Sequence, residues 1–132
     1  MRASGVADTV TRLIDLFPAS EQAQARHSLV ATVRGVISQR LLERADGRGR
    51  TPAVEILTGT AKVIDCIADP IRIHELEQVL ADGQYHGMQT LQQSLVDLVK
   101  DGLISQQDAL AASTRPEDLR IALAQAGVSS SY

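Results

Sequence analysis

The chain has 132 residues, 44% hydrophobic and 22% charged, with only three aromatic residues (Phe17, Tyr85 and Tyr132), one cysteine and a formal net charge of −3. That length supports one domain with a real core, and recurring aliphatic residues exclude extended disorder. No apolar run approaches the roughly 18 residues that cross a bilayer, the start lacks the apolar core of a secretion signal, and Cys66 has no internal disulfide partner, so a reducing cytosol is the expected compartment.

The first predicted element is a helix. Val10, Leu13, Ile14 and Phe17 form one helical stripe, and Pro18 stops it. Ser20 is the expected N-cap of a second helix from Glu21, with Leu29, Val33 and Val36 as its core face and Gly35 weakening its end. Two β-capable runs follow, Val36–Leu42 and Thr51–Leu57, around a segment containing Asp46-Gly47 and Gly49, which supply the positive φ that hairpin loops require. This predicts a β-hairpin with Pro52 at a free edge; a helix continuing to residue 44 is the competing arrangement.

From Gly59 onward the pattern is helical. Val63, Ile64 and Ile67 form a face closed by Pro70; Ile73, Leu76 and Leu80 repeat it, with Gly83 as the expected C′ residue. Met88, Leu91, Leu95, Leu98 and Val99 form a third face ending at Gly102. Ser105 with Asp108 resembles a capping box, and Pro116 suits the first turn of a last helix lined by Leu119, Ala122, Leu123 and Ala126 up to Gly127. Residues 128–132 read as a frayed tail.

Charge divides along the chain. Residues 26–50 carry six arginines against Glu43 and Asp46, a local balance of +4, whereas residues 51–132 have a balance of −6. The basic stretch suits packing against the acidic half or a partner subunit, or binding an anion. Nucleic acid is not expected as a partner: the scarcity of aromatics removes a stacking platform, and the arginines are spaced along ordered elements.

Catalytic constellations are absent from the pattern. His27, His74 and His86 are far apart, Cys66 sits in an apolar helical stretch, and Glu75 and Glu77 do not share a helix face. A P-loop needs Gly-x-x-x-x-Gly-Lys-Ser/Thr, and neither Lys62 nor Lys100 stands in that setting. These residues predict no catalytic, cofactor-binding or metal site.

The run from Arg34 to Leu57, containing Val36-Ile37-Ser38-Gln39-Arg40-Leu41-Leu42 and Arg44-Ala45-Asp46-Gly47-Arg48-Gly49-Arg50, strongly resembles the C-terminal part of PilT-type ATPases, the twitching-motility branch of the type II/IV secretion ATPases. Ile14-Asp15-Leu16-Phe17-Pro18 and Glu21-Gln22 match before it. Gly87-Met88-Gln89-Thr90, Gly102-Leu103-Ile104-Ser105 and Pro116-Glu117-Asp118-Leu119 match after it, so the resemblance covers residues 7 to 123.

The resemblance implies a mainly α fold with a two-stranded β-hairpin: the end of a RecA-like α/β domain over residues 1–59, a helical appendage over 60–127 and a tail over 128–132. It implies the C-terminal fragment of a cytoplasmic hexameric motor, at the inner-membrane face of the pilus machine, that couples ATP hydrolysis to pilus retraction. Implied partners are the remainder of the ATPase, neighbouring subunits and inner-membrane proteins of the pilus base; ATP and Mg belong to the parent family, with none expected in this fragment. The family's Walker A and Walker B elements and its acidic and histidine boxes have no counterpart here. Its Leu-His-Thr-Asn-Ser stretch would fall at Met1 to Gly5, which reads Met-Arg-Ala-Ser-Gly, as expected of a truncated boundary or a degenerate copy. The chain alone is therefore expected not to hydrolyse ATP.

The resemblance further implies subunit-contact or anion-facing roles for Arg34, Arg40, Arg48 and Arg50. In the helix after Glu55-Ile56-Leu57, the family's two arginines are replaced by Ile64 and Ala68 and its asparagine by Asp65, so Ile64 and Asp65 mark an altered coupling helix. The alternative is a stand-alone interaction module whose unpaired hairpin edge pairs with another chain.

Overall fold

The structure, a computed structural model, describes residues 5–128. The family comparison at residues 1–4 and the predicted tail at 129–132 lie outside the described residues. The fold is mostly helical with a two-stranded antiparallel sheet, in the order α1 (Val6–Asp15), α2 (Gln22–Thr32), β1 (Gly35–Glu43), β2 (Arg50–Thr58), α3 (Ala61–Ala68), α4 (Leu76–Ala81), α5 (Leu91–Lys100), α6 (Gln106–Ala112) and α7 (Pro116–Gln125). Short 3₁₀ turns at Ala19–Glu21, Arg72–Glu75 and Gln84–His86 join the helices.

The hairpin forms where the sequence places it. Gly47 and Gly49 take φ of 71° and 105°, and a Cβ at either would meet no atom within 4 Å, so the backbone conformation alone selects glycine there. The Arg44 N–H donates to the Gly49 carbonyl (2.9 Å) and the Gly59 N–H to the Arg34 carbonyl (3.0 Å). This register sets Val36 opposite Leu57, Ser38 opposite Glu55 and Arg40 opposite Ala53, with their backbone groups directed at each other. β2 turns its other groups outward: Ile56 exchanges hydrogen bonds with Gln89 (2.8 and 3.0 Å), and the Val54 N–H donates to Ser94 Oγ (3.0 Å). Pro52, which has no N–H to satisfy, lies on the same outer side.

The chain forms two compact units, one comprising residues up to Ser38 together with Glu55–Thr90, the other Gln39–Val54 together with residues from Leu91 onward. Each strand of the hairpin is divided between them, and both units draw on sequence from either side of Gly59. In the first unit α1 buries Val6, Val10 and Ile14, a spacing of four that keeps all three on one face. They join Leu57, Val63, Cys66, Ile67, Leu76, Leu80 and Met88, with Leu29, Val33 and Val36 packed alongside. In the second unit Ala53, Leu95, Ile104, Ala109, Ala112, Leu119 and Leu123 form the core, and the small alanines let α6 approach α5 and α7. Full burial of each leucine or isoleucine contributes about 1.5–3 kcal/mol.

Several local expectations are corrected. Ser20 is not an N-cap: the chain leaves Pro18 (φ −56°) into a 3₁₀ turn, and α2 begins after Glu21 with no side-chain cap. Gly83 is not left-handed (φ −97°); its Cβ would lie 3.0 Å from the Val79 carbonyl oxygen and 3.1 Å from Met88 Cβ, so it is selected by close packing. Met88 lies before α5, because the neighbouring Gln89 pairs with Ile56. Ser105 does cap α6, accepting the Asp108 N–H at 3.0 Å, and Pro116 opens α7.

Candidate functional site

Charged groups are tied together at the hairpin tip. Asp46 is held by three donors: Arg44 Nε (3.1 Å), Arg44 Nη2 (2.8 Å) and the Arg48 N–H (2.9 Å). The bidentate guanidinium, reinforced by the Arg48 amide, holds the Asp46 carboxyl below its usual range, and the same pairing raises Arg44. The Ala45 N–H donates to the Leu103 carbonyl (2.8 Å), so this tip is anchored to the loop between α5 and α6. With Arg44 engaged by Asp46, Arg48 and Arg50 remain exposed, and among the described residues neither side chain has a partner. The tip therefore presents two unneutralised guanidinium groups on a fixed turn.

An acid titration tests this arrangement. Asp46 is depressed in the folded state, so the stability it contributes is present above its unfolded pKa and is lost as pH falls through its lower folded value. NMR titration is expected to give an Asp46 midpoint below that of ordinary aspartates, with the Arg48 amide shifting in the same step. An ordinary midpoint, or a silent Arg48 amide, refutes the clamp.

The six residues singled out from the sequence are divided between the two units. Arg40, Arg48 and Arg50 lie in the second, Arg34, Ile64 and Asp65 in the first. Arg40 differs from the other arginines: it is half-buried, and its Nη1 donates to the Ala112 carbonyl at the end of α6. A cation there faces the negative end of the helix dipole, which ties the hairpin to α6 and commits this guanidinium internally. Arg34 is exposed, with no side-chain partner among the described residues. On α3, Asp65 is exposed and Ile64 half-buried beside the buried Val63, Cys66 and Ile67.

Three structural residues escaped the sequence reading. The Glu55 carboxylate accepts the Val6 N–H at the start of α1, where Gly5 supplies no side-chain cap. Its signal was register: Glu55 shares the inward face with buried Ala53 and Leu57, and an inward carboxylate needs donors. Arg26 Nη1 donates to the Ile67 carbonyl (2.7 Å), which satisfies an end group of α3, and Ser94 covers the outer edge of β2.

No cluster of three or more histidine, cysteine or acidic residues suited to a metal occurs among the described residues. His27, His74 and His86 are exposed, and burial raises the Cys66 thiol pKa, which keeps it protonated and inert as a nucleophile. No helix among the described residues is long and apolar enough to cross a membrane.

Comparison with known proteins gives the arrangement a context. No family model matches the chain. It is 39% identical over 119 residues to a twitching motility protein of Neisseria gonorrhoeae, covering 90% of this chain and 32% of that protein. It is 35% identical over 118 residues to the type IV pilus retraction ATPase PilT of Pseudomonas aeruginosa, covering 89% and 34%. Among solved structures, the pilus retraction motor PilT with bound ADP superimposes with a TM-score of 0.70 at 38% identity, covering 88% of this chain and 32% of that one. The chain spans about a third of the length of the curated relatives it matches. Its fold matches the C-terminal portion of these ATPases.

Proposed function

We propose that this chain, homologous to the C-terminal portion of the PilT-type ATPases, serves as that portion of a hexameric motor coupling ATP hydrolysis to type IV pilus retraction and twitching motility. The observation that carries the reading is similarity at 39% identity along 90% of the chain to a twitching motility protein, joined to a matching fold. In this reading residues 1–59 close the RecA-like domain and residues 60–127 form its helical appendage. The motor works in the cytoplasm at the inner-membrane face, against neighbouring subunits and inner-membrane proteins of the pilus base. ATP and Mg²⁺ bind the preceding part of the motor.

The chain contributes positioning rather than chemistry. The Arg44–Asp46 clamp fixes the turn, and Arg48 and Arg50, with Arg34 at the other end of the hairpin, are cations available to a neighbouring subunit or an anion. Arg40 acts from within, by holding α6. Ile64 and Asp65, in place of the family's arginine and asparagine, alter the coupling helix.

Two measurements test the reading. A malachite-green assay of the purified chain is expected to show no magnesium-dependent phosphate release, because no group here holds a γ-phosphate and Mg²⁺ together. Robust turnover refutes it. In a chimera carrying residues 5–128 in place of the matching segment of a PilT ATPase, assembly and turnover are expected to persist. Arg48→Glu with Arg50→Glu then lowers hexamer assembly about tenfold, equivalent to about 1.4 kcal/mol. Unchanged assembly returns both arginines to the solvated surface.

A further inference from the structure

Three Asp-Gly steps occur in the chain, at Asp46, Asp82 and Asp101. Such a step is chemically vulnerable, because the amide nitrogen of a glycine, unhindered by a side chain, can attack the preceding aspartate Cγ and close a succinimide ring. At all three the glycine N–H is engaged in the same way: Gly47 donates to the Arg44 carbonyl (3.0 Å), Gly83 to that of Leu80 (3.1 Å) and Gly102 to that of Val99 (3.0 Å). Ring closure requires each of these bonds to open, so the sites differ in what holds the carboxylate and in how freely the nitrogen moves. At Asp46 the carboxylate is restrained. Arg44 Nε and Nη2 and the Arg48 N–H hold both oxygens, and charged hydrogen bonds are the strong ones. The ionised form they favour is also the poorer electrophile, since it would have to expel oxide rather than water. At Asp82 the nitrogen is restrained as well: Gly83 is buried, with the Val79 carbonyl and Met88 packed where a Cβ would stand, and the Gln78 amide lies 3.2 Å from each carboxylate oxygen. Asp101 and Gly102 have neither restraint. Both are exposed, a Cβ at Gly102 would meet no atom within 4 Å, and the Asp101 side chain has no partner among the described residues. They close the end of α5, where the Leu103 N–H also donates to the Leu98 carbonyl (2.9 Å), and helix ends open more readily than helix centres.

We propose that Asp101 is a site of spontaneous backbone modification, at which Asp101-Gly102 converts through a succinimide to an isoaspartyl linkage, while Asp46 and Asp82 are held back by their surroundings. In the first step the Gly102 nitrogen bonds to Asp101 Cγ, and the amide proton and the carboxyl hydroxyl leave together as water. In the second, water adds to the original main-chain carbonyl carbon of Asp101. The bond from that carbon to the Gly102 nitrogen breaks, the nitrogen regains a proton, and the old main-chain carbon becomes the free carboxylate. One water leaves and one enters, so no oxidant, reductant or cofactor is consumed and the net charge is unchanged. The backbone then runs through Cβ and Cγ of Asp101 and is longer there. That change falls in the turn that presents the Leu103 carbonyl to the Ala45 N–H, so modification releases the anchor of the arginine turn.

The 132-residue chain, aged at neutral pH, is expected to accumulate isoaspartate at Asp101 about tenfold faster than at Asp46 or Asp82. Electron-transfer fragmentation of its peptides reads this, because it distinguishes the two linkages although their masses are equal. In concentrated urea the three rates converge, since the dipeptide is the same and only the fold separates the sites; this supplies a reading free of mutation. Arg44→Gln is expected to speed isomerisation at Asp46 about tenfold and to leave Asp101 unchanged. Asp101→Glu removes the product at that position, because closure would require a larger ring. In the modified chain, separated from the unmodified by chromatography, the Ala45 amide exchanges faster. Equal rates at the three sites in the folded chain, a ranking that survives in urea, or an Asp46 rate indifferent to Arg44→Gln overturns the proposal.

Discussion

Replacing Leu123 by alanine is expected to destabilise the second unit by about 2–5 kcal/mol, visible as a large fall in the urea midpoint followed by circular dichroism. Leu123 is fully buried on α7 with Leu119, against Leu95, Ile104, Ala109 and Ala112. The neighbours are mainly small or β-branched, and α6 is fixed at its start by the Ser105 cap and at its end by Arg40, so the structure has little freedom to collapse into the space left. A domain of this size has roughly 5–15 kcal/mol in total, and the loss is therefore a large fraction of it. Ile121 supplies the control on the same helix: it is 57% exposed, and its alanine variant is expected to stay within about 0.5 kcal/mol of the parent. Equal effects at the two positions would mean that α7 packs on a different face. Since α5, α6 and α7 hold the Leu103 carbonyl and the Ala112 carbonyl in place, the variant should also loosen the arginine turn that depends on them.

The hairpin, the resemblance and most of the helices were legible in the sequence because each rests on short-range chemistry; the second helix was overextended, since α2 ends at Thr32 and Val33 and Val36, expected on its core face, lie beyond it, Val36 on β1. Asp46-Gly47 and Gly49 required positive φ and have it; Ser105 and Asp108, three apart, form their cap; Pro116 opens its helix. What escaped depends on partners distant in sequence. Arg40 resembles every other arginine of its stretch until Ala112, 72 residues later, is brought to it. Glu55 and Val6 are 49 apart, and Gly83 is explained by the packing of Met88 and Val79 around it. Of the candidate contact residues, the spacing identified the arginine turn correctly as a turn. It did not separate Arg40, held inside, from Arg48 and Arg50, left exposed, since that distinction exists only once α6 is in place.

Gly59→Ala is expected to cost about 1–3 kcal/mol, the range for forcing extra volume into a closed contact. Gly59 carries no positive φ, so the cost comes from space: its Cβ would lie 2.7 Å from the Val33 carbonyl oxygen and 3.5 Å from that of Arg34. Both neighbours are backbone, and neither is free to yield. The Val33 N–H is bonded to the Leu29 carbonyl (2.8 Å) as α2 ends, and the Arg34 carbonyl accepts the Gly59 N–H itself. Moving Gly59 outward breaks that closing hydrogen bond of the hairpin. It also carries along Thr60, whose hydroxyl accepts the Val63 N–H at the start of α3, so the disturbance passes into the helix bearing Ile64 and Asp65. Gly47→Ala separates this mechanism from backbone strain, because φ at Gly47 is 71° and the space around it is open. Its cost of about 1–2 kcal/mol should leave α3 amide protection unchanged. Gly59→Ala should instead accelerate exchange at Val63 and Ile64, and unaltered protection there would refute the close approach between Gly59 and Val33.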